Sequence, residues 1–156
     1  MPAAPPPEPP RRDSFIAVGA SLFLWLVACA LPAAYVRALS GELSPYYGAA
    51  CAVYGPYVAS LGCFGWFGNL PWVVAEVLLW RRHYRAAAFF SAVAVVIALH
   101  TRTLFPAPIA LHEGAVDSGQ PEHLGPGFVV WMVSLAAPAV ISVWLYLRTR
   151  ARARGE

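Results

Sequence analysis

The chain has 156 residues, of which 59% are hydrophobic and only 12% are charged, and its mean hydropathy is +0.57. Because soluble domains carry about 25% charged residues, this composition excludes an ordinary soluble domain and indicates a membrane protein. The pI near 9.0 could suggest nucleic-acid binding, but the arginines stand at the ends of apolar runs, where they act as topology signals, so no nucleic-acid partner is expected.

The N-terminal third predicts a tail, one spanning helix and a loop. Residues 1–13, "MPAAPPPEPPRRD", are rich in proline and predict a disordered tail. Residues 15–36 form an uncharged run of 22 residues. A helix of about 20 residues crosses about 30 Å of hydrocarbon, so this run predicts the first span. Residues 37–55 are interpreted as a loop.

Three further spans follow, and together they predict a transmembrane domain over residues 14–148. The second span is predicted at 57–80 and the fourth at 128–147. The third, 86–105, continues past its apolar part, so that Arg102 must extend its side chain outward. Helices satisfy their own backbone in lipid, and no strand-like alternation competes. The expected fold is therefore all-α, an up-and-down bundle of four transmembrane helices, with residues 149–156 as a basic tail.

The arginines predict the orientation of the bundle. Only Arg37 and Arg102 fall on one side of a four-span weave; nine fall on the other: Arg11, Arg12, Arg81, Arg82, Arg85, Arg148, Arg150, Arg152 and Arg154. The positive-inside rule then places both termini in the cytoplasm. All eleven basic residues are arginine, and alanine and proline are abundant, a composition typical of a GC-rich bacterial genome, so we expect a bacterial inner membrane. In this topology "RRHYR", at 81–85, is a cytoplasmic hairpin that joins the second and third helices.

The cysteines allow two modifications. "LVAC" at 26–29 fits a bacterial lipobox with Cys29 as the lipidated residue. Apolar residues continue to Val36, whereas a signal peptide ends at its cleavage site, so an intact helix with an unmodified Cys29 is favoured. Cys51 and Cys63 lie toward the outer side and could form a disulfide in an oxidising compartment. The alternative is that both remain unpaired.

The outer loop at 106–127 contains metal-ligand residue types at no standard spacing. Imidazole and carboxylate groups could bind a divalent ion, but a solvated polar loop is the favoured interpretation. The weak candidates are His112, Glu113, Asp117 and His123, with Glu122 beside them. Haem would need two histidines at one depth on facing helices, and the sequence offers no such pair. No cofactor is expected.

Four polar residues fall inside the predicted spans: Asn69, Glu76, His100 and Arg102. Ionisable residues in a span are functional candidates by default. Glu76 stands five residues from Arg81, about 7 Å by helix rise, so it can reach toward the arginines. It also follows Asn69 by seven residues, about two helical turns, on the same face, so we expect it to point inward. Counting heights along the two antiparallel helices predicts that Asn69 could meet His100. Such a contact contributes about 0.6–2 kcal/mol in a membrane.

The segment "FGWFGNLPW", at 64–72, predicts a kink with its polar groups turned inward. Pro71 has no N–H, and a backbone carbonyl left unpaired in lipid needs another donor, which Asn69 could supply. Gly62, Gly65 and Gly68 recur at every third residue. They predict close packing within the bundle or, alternatively, a groove for a partner helix.

Several short motifs resemble those of a group of small, uncharacterised bacterial inner-membrane proteins with four spans. The motifs are "GWFGNLPW" before an apolar helix, the following "RR", the "LPA" that closes the first run and "GPGFVVWMVS" at 125–134. The resemblance covers residues 14–148. The chain departs from it where Leu70 separates Asn69 from Pro71, which that group has adjacent. The resemblance implies architecture and location but no activity.

The sequence therefore supports three functional hypotheses in descending order. The first is a non-enzymatic accessory or assembly subunit that contacts the lipid bilayer and packs against a membrane-protein partner or a second copy of itself. The second is a small transporter or channel component that uses Glu76, Asn69 and His100. The third is a metal-binding protein that uses the outer loop. An enzyme is not expected.

Overall fold

The computed structural model describes residues 11–37, 41–58, 64–104, 109–110 and 118–153. The chain is mostly helical. Its α-helices are α1 (Arg11–Ala30), α2 (Gly48–Val58), α3 (Asn69–Trp80), α4 (Tyr84–Leu99) and α5 (Pro126–Ala153), with 3-10 turns at Gly65–Gly68 and His100–Leu104. Three segments are long and apolar enough to cross a membrane: Arg12–Ala30, Tyr84–Arg102 and Pro126–Arg152. These segments match three of the four predicted spans.

The segment predicted as the second span is divided. Its outer end belongs to α2, and α3 begins only at Asn69, directly after the turn Gly65–Gly68. The 12 residues of α3 rise about 18 Å. The four residues of the turn add about 8 Å. α3 packs along α4, α4 packs along α5, and α5 packs along α1, so the four helices form one bundle.

A small antiparallel sheet covers one end of this bundle, so the all-α expectation is wrong. Its strands are β1 (Pro32–Arg37), β2 (Leu43–Tyr47), β3 (Ile109–Ala110) and β4 (Ser118–Leu124), in the order β2-β1-β4-β3. The strands occupy both segments predicted as loops and the end of the first predicted span. α1 stops at Ala30 because the residue before a proline, here Leu31, disfavours the helical conformation.

The helix ends opposite the sheet also differ from the prediction. α1 begins at Arg11, within the predicted tail, and α5 extends through most of the predicted basic tail to Ala153. Arg148 donates to Asp13 at 3.1 Å, so the start of α1 and the end of α5 lie together. We call this the hairpin end of the bundle, since the turn between α3 and α4 lies there, and the opposite end the sheet end.

The bundle interior contains two clusters of buried apolar residues. The sheet-end cluster consists of Trp72, Ala94, Ala98 and Leu135. The hairpin-end cluster consists of Ala17, Leu79, Tyr84, Ala87 and Leu145. Each of the helices α3, α4 and α5 contributes to both clusters. The alanines on α4 let neighbouring helices approach closely, as small residues do in membrane bundles.

Candidate functional site

Asn69 lies at the first position of α3 and is hydrogen-bonded inside the bundle, as expected. Its Nδ2 donates to the carbonyl oxygen of Trp66 at 2.8 Å. Its Oδ1 accepts from the indole N–H groups of Trp25, at 3.2 Å, and Trp131, at 3.0 Å. One amide therefore links α1, α3 and α5. Pro71 falls in the first turn of α3, where a missing N–H is tolerated, so the helix starts here instead of bending.

The predicted contact between Asn69 and His100 is not formed. His100 lies at the start of the second 3-10 turn, where its Nδ1 accepts from the backbone N–H of Phe64 at 3.3 Å. Its ring centroid is 5.7 Å from that of Phe64. Arg102 is exposed, as expected of a side chain that extends outward. Heights along a helix predicted a similar depth for Asn69 and His100, but they do not determine which way a side chain faces.

An aromatic pocket lies between the sheet and the ends of the helices. Its volume is about 130 Å³, and nearly all of its surface is carbon. Asn69 lines the pocket together with its two hydrogen-bond donors, Trp25 and Trp131. The remaining lining residues are Ala28, Cys29, Ala33, Ala34, Tyr46, Gly48, Cys51, Ala52, Gly55, Trp66, Thr101, Pro121, Leu124, Gly127 and Phe128. The sheet, α1, α2 and α5 all contribute lining residues, so the pocket forms only when these elements pack together.

The polar groups around the aromatic pocket are neutral and mostly engaged elsewhere. The indole N–H of Trp66 donates to the carbonyl oxygen of Ala52 at 3.0 Å. Burial raises the pKa of the Cys51 thiol to about 12, with a smaller contribution from Cys29. Burial likewise raises the pKa of Tyr46 to about 12, with smaller contributions from Cys51 and Tyr54. At neutral pH the side chains of Trp66, Cys51 and Tyr46 therefore offer no charge to a ligand.

Cys51 carries a free thiol and faces the same pocket as Cys29, whose thiol is also free. Cys63, the other half of the predicted disulfide, lies outside the described residues. The same holds for Gly62. Whether Cys29 is lipidated stays a prediction; its side chain packs in the pocket wall at the end of α1.

The residues proposed for a metal site divide into two groups. His112, Glu113 and Asp117 lie outside the described residues. Glu122 and His123 lie on β4 and make sheet contacts instead. Arg37 donates to both carboxylate oxygens of Glu122, at 2.9 and 2.7 Å. That hydrogen bonding lowers the pKa of the Glu122 carboxyl. The His123 ring stacks on Tyr35 at 4.8 Å. Within the described part of the chain, no three metal-ligand side chains converge.

Glu76 is buried in the bundle, one helical turn beyond Trp72. The residue is 6% exposed, and neither carboxyl oxygen has a hydrogen-bond partner in the described part of the chain. The inward orientation agrees with expectation. The expected approach to the arginines does not: Arg81 is exposed at the end of α3. Burying a carboxylate without a partner is costly. The cost of burying Glu76 therefore depends on whether its carboxyl group is ionised or protonated.

Pro138, which was not among the predicted site residues, interrupts α5 and determines which side chains bond to the backbone near Glu76. Pro138 lies inside α5 and cannot donate to the carbonyl of Ser134. The hydroxyl of Ser21, at 3.0 Å, and the indole of Trp72, at 3.1 Å, donate to that carbonyl instead. One residue further along α5, the Ser91 hydroxyl accepts from the backbone N–H of Ala139 and donates to the carbonyl oxygen of Leu135. In the sequence, the signal for this break in α5 is the proline of "LAAPAV", residues 135–140, inside an apolar run.

Gly65 and Gly68, in the turn before α3, pack inside the chain. A methyl group at Gly65 would collide with Thr101, and one at Gly68 would lie 2.7 Å from the carbonyl oxygen of Ala94. Both glycines are buried. Gly65 and Gly68 therefore allow close packing within the bundle. The alternative prediction, that these two glycines form a groove for a partner helix, is wrong.

Comparison of the chain with protein-family models, with curated proteins and with solved structures finds no match.

Proposed function

We propose that this chain is a non-enzymatic membrane protein that holds a hydrocarbon group of a membrane lipid in the aromatic pocket. The observation that carries the proposal is the pocket itself: about 130 Å³, lined by tryptophan, phenylalanine and small apolar side chains. Largely apolar sites with a few polar groups are typical ligand sites. Here the indole N–H groups of Trp25, Trp66 and Trp131 are already bonded within the protein, which favours a ligand without strong polar groups.

The size of the pocket supports a hydrocarbon group over a whole lipid. An engineered apolar cavity of about 150 Å³ stays dry and binds benzene. A pocket of about 130 Å³ therefore fits a group of similar size, such as the end of an acyl chain or an isoprene unit. The pocket lies at the sheet end of helices α1 and α5, both long and apolar enough to span a membrane. Lipid would be the most abundant source of such groups there.

The contacts of the polar residues give less support to transport. Asn69 is bonded to tryptophans, Glu76 lies farther along α3 with no hydrogen-bond partner among the described residues, and His100 packs beside Phe64. No hydrogen bond joins any two of these three side chains. An accessory role with a membrane-protein partner remains compatible with a lipid site, since a lipid-loaded subunit can still pack against another protein.

Filling the aromatic pocket should abolish lipid binding while leaving the fold intact. Ala52 lines the pocket, whereas Ala49 lies one turn earlier on the same helix, α2, and is exposed. We expect native mass spectrometry to show a retained lipid on the wild type and on Ala49→Phe, and at least a tenfold lower bound fraction on Ala52→Phe. Equal lipid retention by both variants would contradict the proposal. A retained protein in place of a lipid would favour the accessory role alone.

We also propose that the bundle has four spans, with α3 and its preceding 3-10 turn as the second, and that both termini face the cytoplasm of a bacterial inner membrane. The nine-to-two division of the arginines supports this orientation. Reporter fusions after residues 45 and 115 should report the outer side, and fusions after residues 83 and 152 the cytoplasm. A cytoplasmic signal at residue 115 would overturn the four-span topology.

A further inference from the structure

A layer of buried polar residues separates the two apolar clusters of the bundle. Each bundle helix contributes one member: Ser21 from α1, Glu76 from α3, Ser91 from α4 and Ser142 from α5. On α3, Glu76 lies between Trp72 and Leu79, which belong to different clusters. The same holds on α5, where Ser142 lies between Leu135 and Leu145, and on α4, where Ser91 lies between Ala87 and Ala94. We call these four residues the polar layer.

Two members of the polar layer are fully engaged and two are not. Ser21 and Ser91 bond to the backbone of α5 around Pro138. The Ser142 hydroxyl and both oxygens of Glu76 are buried and lack a hydrogen-bond partner among the described residues. The N–H of Trp72, the nearest indole on α3, is directed to Ser21 and Ser134. The donors that lie near Glu76, the Ser21 hydroxyl and the Trp72 indole, are therefore directed to the Ser134 carbonyl and not to the Glu76 carboxyl.

Apart from Glu76, the charged residues of the four helices lie toward the hairpin end, away from the layer. They are Arg11, Arg12 and Asp13 on α1, Arg81 directly after α3, Arg85 on α4, and Arg148, Arg150 and Arg152 on α5. The titratable residues Tyr84 and Tyr146 lie toward the same end, whereas Cys29 lies at the sheet end, in the wall of the aromatic pocket. Asp13 and Arg148 pair with each other, and the Tyr84 hydroxyl lies 3.4 Å from Ser14. Arg81 and Arg85 are exposed. Among the described residues no cation is bonded to Glu76 to offset a negative charge, and burying an uncompensated charge costs on the order of several kcal/mol.

Two ligands could remove that cost: a proton or a metal cation. Hard cations take about six or more oxygen ligands. The polar layer offers three unengaged oxygens, two from Glu76 and one from Ser142. A proton needs none beyond the carboxyl itself. The geometry therefore favours the proton.

We propose that Glu76 is a proton-binding site, held as a neutral carboxylic acid in the polar layer and able to release its proton as the pH rises. Binding and release transfer one proton between the carboxyl oxygen and water, with no other reactant. The proposal goes beyond lipid binding and does not rest on it, because the polar layer and the aromatic pocket share no residue.

Infrared spectroscopy of the protein in lipid vesicles tests this proposal, because a carboxylic acid and a carboxylate absorb at separate frequencies. Carboxyl groups in water have pKa values of about 4 and are ionised at neutral pH. We expect a neutral-acid band of one carboxyl per chain at pH 7 in the wild type. The band should persist in Glu42→Gln, which changes an exposed carboxyl, be absent from Glu76→Gln, and disappear as the pH is raised.

Two results would overturn the proposal. The first is a wild-type spectrum at pH 7 that contains only carboxylate bands. The second is loss of the neutral-acid band when sodium chloride replaces choline chloride at constant ionic strength, which would assign a cation site. If Glu76→Gln fails to fold, Glu76→Asp keeps a carboxyl in the layer and should keep the band, and the wild-type titration still decides the outcome.

Discussion

Gly68→Ala is expected to lower the free energy of unfolding by about 1–3 kcal/mol, the range for overpacking a close contact. Gly68 is buried where the 3-10 turn crosses α4. A Cβ atom at this position would lie 2.7 Å from the carbonyl oxygen of Ala94 and 3.2 Å from the Cβ of Ala98. Neither atom is at the end of a flexible side chain, so the two helices would have to separate. Thermal unfolding in detergent, followed by circular dichroism, measures the loss.

Gly19 supplies the matched control for this substitution. It lies within α1 and faces outward, with no atom within 4 Å of an added Cβ. Alanine favours a helix over glycine by about 1 kcal/mol, so Gly19→Ala should leave stability unchanged or raise it slightly. If both substitutions change the melting temperature equally, the close packing of α3 on α4 described above is incorrect.

Asn69→Leu is expected to destabilise the bundle by about 2 kcal/mol. The substitution removes three hydrogen bonds, to Trp25, Trp131 and the Trp66 carbonyl, and such bonds average about 0.6 kcal/mol each in a membrane protein. It also leaves two indole N–H groups without an acceptor. Leu70→Ala, at the adjacent exposed position, serves as the control. The tryptophan emission spectrum should change for Asn69→Leu only, and an unchanged melting profile would show that Asn69 does not link the helices.

The helical part of the fold could be predicted because each span depends on local composition. Long apolar runs identify α1, α4 and α5, with every predicted end within about six residues of the observed one. The break before α3 was also foreseeable in outline, since glycine and Pro71 weaken a helix at this point. The sheet could not be foreseen, because its strands pair over long distances in the sequence. β1 pairs with β4, and Arg37 on β1 bonds to Glu122 on β4, 85 positions later. Short strands in loops carry little local signal of a partner so distant.

The candidate sites were predicted only in part, for a related reason. Asn69 and Glu76 stood out as polar residues within apolar runs. Their surroundings did not, because tryptophan counts as apolar although its N–H is a donor. Trp25 and Trp131 therefore escaped notice as partners of Asn69. Pro138 had a local signal, since a proline frees the carbonyl four residues earlier, but which helices would supply Ser21, Trp72 and Ser91 depended on the tertiary structure.

The most direct measurement of lipid binding is a crystal structure of the protein grown in a lipid whose acyl chain or isoprenoid end carries bromine. We expect an anomalous bromine peak inside the aromatic pocket, among Trp25, Trp66 and Phe128, on the far side of Asn69 from Glu76. Bromine peaks confined to the outer surface of the bundle, with the pocket empty or filled by protein atoms, would contradict it.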